Sequence, residues 1–219
     1  MKIDKPLRAL KSSMIFSCVI VFQYGITYFV QSFLKIDELI NDFYIENLMH
    51  EHLEEMISER RKWWFVGYAM IPLFVFIRSS LVALCLSIIA FFYDMEHPFK
   101  FKQFLRITLI GEFVWVLVGI AKFAYFYWFQ TEFILVDFQQ YYPLSFTNYL
   151  DLETLDPWFV YPLQTINLFE VLYFFVLVYG MHKLLKGSYW ASFEKVAVGY
   201  GTGLLVWLGL TMFLILNMS

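Results

Sequence analysis

Charge is scarce in this chain: Asp, Glu, Lys and Arg together make up only 16% of it. Catalytic signatures are scarcer still. There is no G-x-S-x-G elbow, no P-loop, no C-x-x-C and no paired histidine on an apolar run, so the sequence offers no catalytic residues and an enzyme is not expected. Cysteine occurs only at Cys18 and Cys85, both inside apolar runs, which reads as packing rather than bridging or metal ligation. Internal repeats, heptad arrays and low-complexity tracts are also missing. No cofactor, no metal and no nucleic-acid partner is expected.

What fills the chain instead is apolar and aromatic side chains, at 60% and 22%. Soluble domains hold about 45–50% apolar residues, and a water-soluble fold of this length could not hide the excess. The expected class is all-α, a polytopic helical membrane protein forming a single membrane domain over 1–219. A helix needs about 20 mostly apolar residues to cross roughly 30 Å of hydrocarbon. Five stretches qualify: about 13–34, 63–93, 107–129, 160–182 and 195–216. The second is too long for one straight span, and Pro72 predicts a kink or an interfacial start. Trp63, Trp64, Trp128 and Trp158 lie at or near the ends of these runs, where amphipathic rings favour the headgroup zone. The opening MKIDKPLRALKSS has the basic flank of a signal peptide, but no small-residue cleavage site follows the apolar run, so it reads as a retained first span.

Lysine and arginine in short loops tend to stay on the cytoplasmic side. They gather at 1–12 (Lys2, Lys5, Arg8, Lys11), 94–106 (Lys100, Lys102, Arg106) and 183–195 (Lys183, Lys186, Lys195). The loop 130–159 carries none, but holds Glu132, Asp137, Asp151, Glu153 and Asp156. A cytoplasmic N-terminus follows, with 130–159 as an acidic, ordered outer loop. Segment 35–62 should also lie outside, although Arg60, Arg61 and Lys62 run against the pattern; acidic residues keep it net negative. Ile36, Leu39, Ile40 and Phe43, then Met49, Leu53, Met56 and Ile57, recur there at helical spacing. They predict an amphipathic helix on the membrane surface or against the spans, broken once at most. His50, Glu51, His52, Glu54 and Glu55 in the same segment are ligand types without H-E-x-x-H spacing, and read as a solvated acidic face.

Ionisable residues inside a bilayer are costly, so each is a candidate functional residue. Here they are Arg78, Glu112, Lys122 and Glu170, with Gln23, Gln164 and Asn167 as neutral companions. Two readings stand: a polar pathway or charged socket, and interhelical pairs, such as Arg78 with Glu170, that fix how the spans pack. Gly199 and Gly203 form a G-x-x-x-G step that lets helices approach closely, within the chain or in a dimer.

Three stretches carry a resemblance. One is HPFKFKQFLRITLIGE after the second run; another is LDPWFVYPLQTINLFEVLYFF; the last is VYGMHKLLKGSYWASFEKVAVGYGTGLLVWLGL, which joins the final two runs. From about residue 79 onward the chain resembles the Yip1 family of small five-span membrane proteins; the first 78 residues do not share the likeness. The resemblance implies a cytoplasmic N-terminus and a non-catalytic role. Eukaryotic members associate with small GTPases and shape or sort Golgi and endoplasmic reticulum membranes. The short region before the first span points instead to a bacterial inner membrane, with Golgi or endoplasmic reticulum as the alternative.

The expected function is a non-enzymatic scaffold or accessory subunit that contacts the lipid bilayer and a membrane protein partner or a second copy of itself. The alternative is a component of a solute or ion transporter that uses the four intramembrane charges.

Overall fold

The computed structural model describes residues 11–47, 50–93 and 99–218, and among these every side chain except those of 46–58, 60, 61 and 153. Lys2, Lys5, Arg8 and Met49 fall outside the described residues, as do the side chains of His50 to Ile57, of Arg60 and Arg61, and of Glu153. Among the described residues every regular element is helical. Five helices are long and apolar enough to cross a membrane.

Helix α1 spans Ser12–Phe33 and ends where the Leu34 N–H donates to the Val30 carbonyl at 3.1 Å. Lys35, left-handed at φ 50°, turns the chain into α2, Ile36–Asn47. Helix α3 then runs unbroken over His50–Phe92, with Pro72 inside it. At 43 residues it is about 65 Å long, so only its apolar part, Lys62–Phe92, serves as the span. The amphipathic segment is therefore two things. Its first half is α2, which lays Ile36, Leu39 and Ile40 against Phe126, and its second half is the opening of α3, because neither proline nor glycine interrupts residues 50–62.

The third span begins at Phe101 rather than 107, since the Gln103 side-chain carbonyl accepts the Lys100 N–H at 2.8 Å and starts the helix early. It is built from α4, Phe101–Gly111, and α5, Phe113–Trp128, which meet at Glu112. The loop after the third span holds α6, Leu135–Gln140, and two 3-10 turns, Phe146–Tyr149 and Leu152–Thr154.

The fourth span departs from the expected 160–182. Residues 157–165 form a separate short helix, α7 (Pro157–Thr165), and the span is α8, Leu168–Leu185. Asn167 makes the break. Its backbone is extended, its side-chain amide donates to the carbonyls of Gln164 (2.9 Å) and Thr165 (3.0 Å), and its side-chain oxygen caps the new helix by accepting the Glu170 N–H at 2.9 Å. Lys186, left-handed at φ 54°, ends α8. The Ser188 hydroxyl then accepts the Ala191 N–H at 3.1 Å and opens α9, Tyr189–Met218.

The main core lies where α3, α4, α8 and α9 meet, around Leu86, Phe104, Tyr173, Leu177, Met181 and Val196. A second cluster fastens α1 to it through Ile15, Val19, Val75 and Leu109. Large apolar side chains remain on the surface of all five spans, as helices facing lipid require.

Candidate functional site

The interruption between α4 and α5 puts a carboxylate in the middle of the bundle. Glu112 is fully buried, and Arg78 of α3 grips it with two bonds: Nε donates to Oε1 at 3.1 Å, and Nη2 donates to Oε2. Ser79, the next residue of α3, adds a third donor to Oε1 at 3.2 Å. The Thr108 hydroxyl donates to the Ser79 carbonyl at 3.0 Å and to the Leu105 carbonyl at 2.9 Å, holding α4 against α3 at the same level. A bidentate grip with further donors is the arrangement that offsets the cost of taking two charges out of water. The Arg78 guanidinium also lies 4.6 Å from the ring centre of Trp115. Access to the pair is uneven: the Arg78 side chain keeps 41% of its surface, whereas Glu112 keeps none.

The expected pairing of Arg78 with Glu170 is not what forms. Glu170 sits in the first turn of α8, near the positive end of the helix dipole, and accepts a hydrogen bond from the Tyr200 hydroxyl of α9. Tyr173 connects the two charged centres. Its ring lies 5.7 Å from that of Trp115 and 5.5 Å from that of Tyr200. Gly111 makes room for it, since a Cβ there would stand 2.5 Å from Tyr173 Cε2. The Tyr173 hydroxyl and Trp115 Nε1 are both buried without a hydrogen-bond partner among the described residues.

The remaining polar candidates are elsewhere. Lys122 projects toward the loop that follows the third span, with Nζ 4.2 Å over the ring of Phe138 in α6. Gln164 donates to the Gln140 carbonyl at 3.4 Å, and Asn167 is the cap already described; both shape backbone. Gln23 is half-buried on α1. Gly199 and Gly203 face α3 of the same chain: a Cβ on Gly199 would stand 2.8 Å from Ile89 Cγ1, and one on Gly203 2.7 Å from Cys85 Sγ. Gly180, not singled out in the sequence, gives Ile107 room in the same way. Among the described residues no three His, Cys, Asp or Glu side chains gather as a metal site would need.

Outside the spans, Tyr142 lies at the edge of this polar core. Burial pushes its phenol up to about 12, and the nearby Glu170 charge adds to the shift while Arg78 opposes it.

Sequence reasoning missed Ser79, Trp115, Tyr173 and Tyr200. Trp115 and Tyr173 left a usable signal, each standing three residues after an intramembrane acid, Glu112 and Glu170, as residues of one helical face do. No protein-family model matches the chain, and no curated protein or solved structure matches it.

Proposed function

We propose that this protein is a non-enzymatic scaffold or accessory subunit of a membrane complex, holding a membrane-embedded partner or a second copy of itself. The observation that carries this reading is how the intramembrane charges are disposed. Arg78 closes on Glu112 and Glu170 takes the Tyr200 hydroxyl, so they tie α3 to the α4–α5 joint and α8 to α9. Lys122 is far enough away to face a loop aromatic instead. Charges disposed this way stiffen a bundle, and a stiff bundle suits a protein that positions others. The resemblance to the Yip1 family supports the same reading.

The basic connectors support an orientation. Lys195 lies 5.1 Å over the ring of Tyr93, so the α3–α4 and α8–α9 connections share one end of the bundle, and that end is the cytoplasmic face of a bacterial inner membrane in this proposal.

The test is purification from native membranes in nanodiscs, with mass spectrometry of what accompanies the chain. A stoichiometric partner or a defined homo-oligomer is expected; a lone monomer with nothing attached overturns the reading. One observation favours the transporter alternative: the Tyr173 hydroxyl is buried between the two charged centres without a partner among the described residues. In that case Glu112→Gln abolishes flux in liposomes, and a wild-type protein without flux removes the alternative.

A further inference from the structure

Residues 141–150, YYPLSFTNYL, contain no charge, and they fold inside out. Pro143, Ser145 and Thr147 are buried, while Leu144, Phe146 and Tyr149 between and beyond them expose 58%, 62% and 85% of their surface. A loop surrounded by water does the reverse, turning hydroxyls outward and large apolar groups inward. Here Leu144 even takes a left-handed backbone, φ 55°, which an L-residue adopts only at a cost, and its side chain still projects outward.

Several polar atoms of the segment bond one another. The Ser145 hydroxyl oxygen accepts the Thr147 N–H at 3.3 Å and the Thr147 hydroxyl at 2.9 Å. Asn148 closes on the Tyr142 backbone from both sides, accepting its N–H at 3.2 Å and donating to its carbonyl at 2.7 Å. Irregular backbone next to hydrocarbon needs this, because lipid offers N–H and C=O groups no partner.

The depth of the segment is fixed by the fourth span. The Leu168 N–H donates to the Leu144 carbonyl at 3.3 Å, and Ser145 bridges to Asn167. The tip is therefore level with the first residue of α8. Ile166 and Leu168 expose 66% and 61% there, so the apolar surface of the loop runs on into the lipid-facing side of the span.

We infer that 141–150 is a membrane-inserted wedge, with Leu144, Phe146 and Tyr149 seated against the acyl chains of the leaflet opposite the basic connectors. Its partner is the phospholipid surface itself. The outer loop is thus divided into a lipid-seated tip and a water-facing acidic part that begins at Asp151.

Single-cysteine variants of the full chain, made in a Cys18→Ser, Cys85→Ala background and reconstituted in phosphatidylcholine/phosphatidylglycerol nanodiscs, test this. Maleimides react with the hydrated thiolate, so Phe146→Cys and Leu144→Cys should react with a membrane-impermeant maleimide at least about tenfold more slowly than Asp151→Cys. An environment-sensitive fluorophore attached at Phe146→Cys should also be quenched by lipids spin-labelled along the acyl chain. Labelling of Phe146→Cys as fast as Asp151→Cys overturns the inference and leaves the patch open to a protein partner. Slow labelling without quenching also overturns it, because protein, in the form of a second copy, then covers the patch.

Discussion

The Tyr24 hydroxyl on α1 donates to the Tyr68 carbonyl on α3 at 3.1 Å. That carbonyl lies four residues before Pro72, where the helix has no N–H to offer it. The proline frees an acceptor inside the bilayer, and a neighbouring span supplies the donor. Tyr68 returns the contact by donating its own hydroxyl to Gln31.

Tyr24→Phe should therefore destabilise the protein by about 0.6–1.7 kcal/mol, the range measured for hydrogen bonds between membrane helices. In a Pro72→Ala background, where the backbone can pair normally, the same change should cost almost nothing. A double-mutant cycle of unfolding in mixed micelles reads the difference, and equal costs in both backgrounds would refute the assignment.

Removing the two halves of the buried ion pair should have unequal effects. Arg78→Ala strands a sealed carboxylate and should cost about 3–5 kcal/mol, the usual penalty for breaking a buried pair. Glu112→Ala strands, midway along a span, a guanidinium that cannot give up its proton, whereas the carboxylate left by Arg78→Ala can take one up, so the cost of Glu112→Ala should be larger. Thermal unfolding in detergent ranks the two, and the opposite order would refute this account.

Tyr173 allows a test of opposite sign. Its hydroxyl has no partner among the described residues, so Tyr173→Phe should leave stability unchanged or raise it by up to about 1 kcal/mol. Gly111→Ala pushes a methyl into the same ring and should cost about 1–3 kcal/mol by overpacking. A clear loss of stability in Tyr173→Phe would mean that the hydroxyl is bonded after all.

The glycines of α9 should separate by face. Gly199→Val should loosen the contact with Ile89, whereas Gly201→Ala, with nothing within 4 Å of its Cβ position, should be silent. Crosslinking yield between α3 and α9 distinguishes them. Equal effects at the two sites would show that helix propensity, not close approach, is what these positions supply.

How much of this was legible beforehand depended on whether the signal was local. Five spans follow from hydropathy because each run carries its own length and composition. The start of α8 was also written locally, in Asn167 standing three residues before Glu170 as a cap does, yet the apolar run through Pro162 masked it. The partner of Arg78 was not legible. Glu112 and Glu170 are equally acidic and equally apolar in their surroundings, and only the way α4 packs on α3 chooses between them. The same holds for Tyr24: Pro72 announces a freed carbonyl, but not which helix will answer it. In 141–150, alternation of small polar and large apolar residues does not say which set faces outward; the structure turns Leu144, Phe146 and Tyr149 out.

Glu112 occupies two roles. It is the joint at which the third span changes from α4 to α5, and it is the anion that Arg78 holds. Mechanics and electrostatics therefore meet at a single position: a change in how α4 runs into α5 would move the carboxylate, and loss of Arg78 would leave that junction without its anchor.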